Sequence, residues 1–120
     1  MTPDGQLLTL SLLLRGLTLR LYRRIDAGTG AYDEADFPGY SPAELSDGLW
    51  NITRENDTVS GNHPQVEFTC NVGGAAHAIG GYYLTRGTTV LDAAAFEMPA
   101  TVQNAGDAIK VTPRVVMESV

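Results

Sequence analysis

Residues 77–96 read HAIGGYYLTRGTTVLDAAAF, and this stretch decides the fold. His77 to Thr85 is rich in aromatic and other residues that β-strands favour, and Thr88 to Phe96 follows after the turn-forming pair Arg86-Gly87. Two strand-like segments joined by a short turn predict a β-hairpin. The pair Gly80-Gly81 would weaken the first strand unless another chain packs closely against it, so we expect these glycines to lie at an interface.

Three other segments also have the character of strands. Residues 17–22, LTLRLY, place three leucines on one face and Thr, Arg and Tyr on the other. Residues 66–70, VEFTC, alternate in the same way, so Cys70 is expected to be a small buried apolar group and not a nucleophile. Residues 109–117 give a last strand interrupted by Pro113, which favours an edge position or a bulge because proline cannot donate to the ladder.

The N-terminal segment is the ambiguous one. Residues 7–14, LLTLSLLL, fit a strand or a two-turn helix, and the helix is favoured because leucine is a good helix former and Gly16 can serve as its stop. The stretch is also about as long as the core of a signal peptide. Asp4 precedes it and Arg15 follows it, so we expect no signal peptide and folding in a cytoplasm, where Cys70 stays reduced.

Turn-forming residues recur along the whole chain and leave room for strands but little room for helices. No repeat, linker or low-complexity segment divides the 120 residues. We therefore expect one domain over residues 1–120. Its fold class is mainly β: a small antiparallel β-sandwich or jelly-roll-like domain with a short N-terminal helix.

The charge is distributed unevenly along the chain. Residues 1–25 hold four arginines and one acidic residue, whereas residues 26–120 hold four basic and 13 acidic residues. These segments carry +3 and −9 of the formal net charge of −6, and a mostly negative surface predicts no nucleic-acid partner. The arginines are either a solvated strand face or an interface with acidic groups of a partner, including a second copy of the chain. They are Arg15, Arg20, Arg23 and Arg24.

No motif predicts a catalytic residue, a metal site or a cofactor, so we expect a non-enzymatic protein. His63 lies in a loop-forming sequence and is expected to be solvated, and His77 is expected at the start of a strand. The acidic residues 33–36 lack the ligand spacing of a calcium loop, which favours a solvated acidic loop. Only one cysteine is present, and no apolar run approaches the roughly 20 residues that span a bilayer, so we expect no disulfide framework and no membrane partner.

The aromatic residues leave two alternatives open. They supply bulk to a small core, or an exposed set of them forms a platform for a sugar. The set comprises Tyr22, Tyr32, Phe37, Tyr40, Trp50, Tyr82, Tyr83 and Phe96.

Two motifs resemble a group of small structural proteins of tailed bacteriophages, found in cyanophages among others. The first is EADFPGY at residues 34–40, and the second is GDAIKVTP at residues 106–113. The resemblance covers about residues 7–117, although the arginines around the first strand depart from the more neutral family pattern. It implies a β-rich fold without catalysis that assembles in symmetric copies, as capsid cement and decoration proteins do.

The resemblance leads to two functional expectations. The first is a cement or decoration protein on the capsid surface of the virion, which stabilises the head shell by bridging copies of the major capsid protein, as a homotrimer. The second is a tail or fibre accessory module that binds a host-surface glycan through its aromatic residues.

Overall fold

The computed structural model describes residues 3–56 and 58–118, and their fold is mainly β, as the sequence predicts. The elements are α1 (Pro3–Leu13), β1 (Thr18–Ile25), β2 (Tyr32–Glu34), β3 (Ala43–Glu44), a 3₁₀ turn (Asp47–Leu49), β4 (Asn51–Glu55), β5 (Thr58–Asn62), β6 (Val66–Thr69), β7 (His77–Arg86), β8 (Thr89–Val102), β9 (Ala108–Val111) and β10 (Arg114–Glu118).

The described strands form three antiparallel sheets. The main sheet has the order β2-β1-β7-β8, and β3 pairs with the same edge of β1 as β2. A second sheet has the order β10-β5-β4, and β6 pairs with β9 in a third. One shared core joins these sheets and the helix, which confirms the small β-sandwich-like domain with a short N-terminal helix.

The predicted hairpin is confirmed. β7 and β8 pair antiparallel from Arg86↔Thr89 at the turn to His77↔Val102 at the far end. Gly87 takes a positive φ of 61°, which a turn of this length requires. β8 runs six residues beyond the expected end at Phe96, and the register shifts opposite Gly80.

The alternating leucines of β1 form the centre of the core. Leu19 and Leu21 of β1 and Leu17 just before it are almost fully buried, and Leu10 of α1 and Leu14 just after the helix belong to the same cluster. The helix packs against β4 and β5, so the helical alternative for the N-terminal segment is the correct one. No helix among the described residues has the length and apolar character that crossing a membrane requires.

The single last strand expected over residues 109–117 is wrong. The structure has two strands there, β9 in the third sheet and β10 at the edge of the second. Pro113 lies buried between them. Proline has no backbone N–H to donate to a strand ladder, so it interrupts the pairing at the point where the chain passes from one sheet to the next.

Both motifs of the phage resemblance pack against residues 69–71. The Asn71 N–H donates to the Pro38 carbonyl of the first motif at 3.0 Å. The Cys70 N–H donates to the Asp107 carbonyl of the second motif at 2.8 Å. The two motifs therefore form one structural unit, and Cys70 is buried within it as the alternation predicts.

Candidate functional site on the outer face of the main sheet

The outer face is the side of the main sheet that points away from the leucine core. The antiparallel register places Arg20 of β1 beside Tyr83 of β7, and Tyr22 between Gly81 and Glu34. These side chains share one face because they occupy alternate positions along their strands. The outer face therefore combines an arginine, a carboxylate and two tyrosines within three neighbouring strands.

Arg20 and Glu34 form the central polar pair of the outer face. Arg20 Nη1 donates to both carboxylate oxygens of Glu34, at 3.0 and 3.2 Å, and its Nε donates to Thr85 Oγ1 at 3.1 Å. The side chains of Arg20 and Glu34 are 27% and 33% exposed. The pairing of β1 with β2 places these two side chains together, and both remain in contact with solvent.

Tyr40 forms another hydrogen bond with Glu34. Its hydroxyl donates to Glu34 Oε2 at 2.6 Å and accepts the Leu21 N–H at 3.2 Å. Leu21 lies where the edge of β1 is open between β2 and β3, so the tyrosine hydroxyl replaces a strand partner. Burial and the bond to Glu34 raise the pKa of Tyr40 well above its ordinary value, so the hydroxyl keeps its proton.

A second ionic group lies further along β1. Arg23 Nη2 donates to both carboxylate oxygens of Asp33, at 2.9 and 3.0 Å. Arg24 Nε lies 3.3 Å from Asp33, and Arg23 Nη1 lies 3.6 Å from Asp36. The hydrogen bond from Arg23 is the main cause that lowers the pKa of Asp33 below its ordinary range. The expected acidic loop is therefore wrong for Asp33 and Glu34, which lie in β2 and pair with arginines of β1, whereas Asp36 after the strand is exposed as predicted.

Three of the four predicted interface arginines thus have partners within the chain. Arg20, Arg23 and Arg24 contact acidic residues of β2 and the segment that follows it. Arg15 is exposed just after α1, and its carbonyl accepts two hydrogen bonds from Arg86. Contact of these arginines with another molecule stays a prediction.

Contacts within the chain explain why positions 80 and 81 are both glycine. A Cβ at Gly81 would lie 2.2 Å from the Ala94 carbonyl oxygen and 2.6 Å from the Tyr22 hydroxyl oxygen. A Cβ at Gly80 would lie 3.2 Å from the Tyr22 ring. Tyr22 covers both glycines and is 5% exposed, so it is buried although it lies on the face opposite the leucines, as alternation predicts.

Tyr22, Tyr32 and Tyr83 form an aromatic cluster on the outer face. The rings of Tyr32 and Tyr83 stack with centroids 4.8 Å apart, and Tyr22 is tilted against Tyr32 at 5.2 Å. Tyr22 and Tyr83 are buried, whereas Tyr32 is half-buried. The other aromatic residues belong to the core or pack against it, apart from this cluster.

A groove of about 490 Å³ opens beside the cluster. Its rims are the β1–β2 loop at residues 29–31 and the β7–β8 turn at Gly87-Thr88. Its lining includes the Arg20–Glu34 pair and the rings of Tyr32 and Tyr83. The groove is thus bordered by two turns and lined by side chains whose positions the main sheet fixes.

β8 forms the opposite edge of the main sheet. It is 14 residues long and pairs only with β7 among the described strands. Met98 is 81% exposed on it and Val90 is 42% exposed. Asp92 and Glu97 are its only charged residues. A long edge with few charges is a template on which another backbone can pair.

The histidines are placed differently from each other. His63 was expected to be solvated, and this is wrong: it is 6% exposed and packs edge-on against Trp50 with ring centroids 5.3 Å apart. Its backbone N–H donates to the Pro113 carbonyl at 3.0 Å, which holds residue 63 beside the start of β10. His77 begins β7 as predicted. Within residues 3–56 and 58–118, no three metal-binding side chains come together.

No protein family, curated protein or solved structure matches this chain.

The sequence alone did not indicate that Glu34 and Thr85 contact Arg20, or that Tyr40 contacts Glu34. One signal could have found Glu34: the turn at residues 26–30 separates two short segments, and a hairpin there places the acidic residues beside the arginines.

Proposed function

We propose that the protein is a non-enzymatic structural protein of a tailed-phage virion, a capsid cement or decoration protein. It forms a homotrimer in solution and binds the major capsid protein on the outside of the head shell in that form. The phage resemblance at residues 34–40 and 106–113 supports the virion assignment.

The observation that carries the proposal is the edge of β8. A cyclic trimer needs a heterologous contact, in which one surface of each copy meets a different surface of the next. The segment Thr89–Phe96 offers backbone donors and acceptors together with small side chains, and Asp92 is its only charge. Pairing along such an edge gives both affinity and a defined register, because backbone hydrogen bonds fix how the two strands align.

The second motif, residues 106–113, supports a structural role for the protein. Residues 106–113 hold a turn, the strand β9 and a proline between two sheets. Asp107 Oδ2 accepts the N–H groups of Gln103 and Asn104, at 3.0 and 2.8 Å. The motif is thus part of the scaffold. A protein that works by presenting a rigid surface to a shell depends on such scaffold residues rather than on a reactive site.

Electron microscopy of the virion with labelled protein tests the location. We expect label over the head in copies that follow the shell symmetry. Label at the tail would favour the glycan-binding accessory module and contradict the capsid role.

Sedimentation velocity tests the assembly surface. We expect the unmodified protein to sediment as a trimer and Ala95→Lys, on the exposed edge of β8, to sediment as a monomer. Ala105→Lys, in an exposed turn away from that edge, is the matched control and should remain trimeric. A monomeric unmodified protein, or an Ala95→Lys variant that still forms trimers, would refute the role of this edge.

A further inference from the structure

The groove on the outer face has the size of a ligand site. Its volume of about 490 Å³ falls within the roughly 300–1,000 Å³ typical of small-molecule sites. Gly30 and Gly87 lie in its two rims with positive φ values of 72° and 61°, and a Cβ at either position would meet no atom within 4 Å. The rims therefore leave the groove open to a molecule from solution.

The polar pair in the groove has unused hydrogen-bonding capacity. Arg20 uses Nε and Nη1 for Thr85 and Glu34, while its Nη2 makes no hydrogen bond to any residue that the structure describes. A carboxylate oxygen accepts more than one bond, so Glu34 Oε1 can accept a second donor. Donors and acceptors thus lie side by side, an arrangement that fits two neighbouring hydroxyl groups because each hydroxyl both donates and accepts.

The pair is held in place before any ligand arrives. Tyr40 bonds Glu34 at 2.6 Å, and Thr85 bonds Arg20 at 3.1 Å. Thr85 is 3% exposed, so its own position is fixed by packing. Binding would therefore immobilise few additional side chains, and this lowers the entropic cost of association.

The charges in the groove select against ions. Arg20 and Glu34 neutralise each other, so an anion or a cation would have to compete with an existing ion pair. A neutral ligand with several hydroxyl groups keeps the pair intact. The half-buried ring of Tyr32 lines the same groove and offers an apolar surface to the C–H groups of a saturated ring, while the buried Tyr83 supports it by stacking at 4.8 Å.

We propose that this groove binds the ring of a neutral hexopyranose through a pair of adjacent hydroxyl groups. Arg20 Nη2 donates to one hydroxyl and Glu34 accepts from its neighbour, while Tyr32 contacts the ring. The inference goes beyond the capsid role and does not rest on it, since the groups that bind the sugar lie on β1 and β2, whereas assembly uses the edge of β8, of which Val90 lines the groove. A glycan-binding groove on a capsid-bound protein would give the particle contact with sugars on a surface.

NMR titration of the uniformly ¹⁵N-labelled protein tests the groove directly. The probes are methyl α-D-glucopyranoside, mannopyranoside and galactopyranoside, each raised to about 100 mM because a shallow site is expected to have a millimolar Kd. We expect saturable shift changes at the amides of Gly30, Gly87 and Thr88 with at least one glycoside. The amide of Gly48, outside the groove, should not change.

Two variants make the result specific. Tyr32→Leu removes the ring, and Thr88→Glu adds a charged side chain to the exposed rim without touching a buried group. Each should weaken binding at least tenfold, whereas the control Arg54→Gln on β4 should bind as the parent does. If Tyr32→Leu does not fold, Thr88→Glu decides. The absence of saturable changes at the groove amides with all three glycosides, or unchanged binding in Thr88→Glu, overturns the proposal and leaves the capsid role intact.

Discussion

Replacing Gly81 by alanine is expected to destabilise the main sheet strongly. The added Cβ would lie 2.2 Å from the Ala94 carbonyl oxygen, which is backbone, and 2.6 Å from the Tyr22 hydroxyl oxygen. An ordinary carbon–oxygen contact is more than 3 Å, so β7 and β8 must separate by about 1 Å. Tyr22 would also lose part of its packing.

The size of the effect follows from overpacking in a paired strand. Extra atoms in a well-packed site cost about 1–3 kcal/mol and sometimes more, and here the obstacle is backbone that cannot rotate away. We therefore expect Gly81→Ala to lower the free energy of unfolding by about 3 kcal/mol. For a domain of this size the melting temperature should fall by about 10 °C.

Urea unfolding followed by the fluorescence of Trp50 provides the assay, because Trp50 is the only tryptophan in the chain and packs against the core. Gly48→Ala is the matched control. A Cβ there would meet no atom within 4 Å, so its free energy of unfolding should stay within about 0.5 kcal/mol of the parent's or rise slightly. If Gly81→Ala is as stable as Gly48→Ala, the close approach of Tyr22 and β8 to Gly81 is not what requires a glycine there.

Three further changes test other contacts. Arg86→Met should lower the free energy of unfolding by about 1–2 kcal/mol in urea unfolding, since the guanidinium binds the last two carbonyls of α1 and the Arg15 carbonyl just after it, whereas Arg54→Met should have no effect. Tyr40→Phe should cost about 1–3 kcal/mol in the same assay because it leaves the Leu21 N–H without its partner, and an unchanged midpoint would contradict that role. Hydrogen bonds from the Asn104 and Gln103 N–H groups lower the pKa of Asp107. The ionised carboxylate therefore stabilises the folded protein fully above about pH 4, and this stabilisation is lost as the pH falls through the lowered pKa. In thermal melts, Asp107→Asn should lose less stability in acid than the parent does.

The sequence predicts the strands well where the physical signal is local. The β7–β8 hairpin follows from strand-forming residues around Arg86-Gly87, and the buried leucines of β1 follow from alternation. The helix α1 was correctly preferred because leucine propensity and Gly16, with φ of 65°, both act locally. These features need no knowledge of which segments meet in space.

The features that local sequence patterns do not determine depend on long-range pairing. Tyr22 is buried on the outer face because Gly81, far away in sequence, leaves room for its ring. His63 is buried where its backbone N–H donates to Pro113 and its ring packs against Trp50. Alternation and loop composition describe one segment at a time, so neither could indicate these contacts.

The candidate groove is a similar case. The sequence pointed to the arginines and to the aromatic residues as two separate sets, with an interface expected for the first and a core or a sugar platform for the second. The register of β1, β2 and β7 brings Arg20, Glu34, Tyr32 and Tyr83 to one place. Such a convergence depends on strand order, which alternation does not determine.

The stability of phage heads tests the central claim most directly. Heads from a phage that lacks this gene are heated with and without the purified protein, and release of their DNA is measured. The account predicts that heads without the protein open at lower temperature, that adding it restores the parent value, and that Ala95→Lys does not restore it whereas Ala105→Lys does. Heads that open at the same temperature with and without the protein would contradict a cement function.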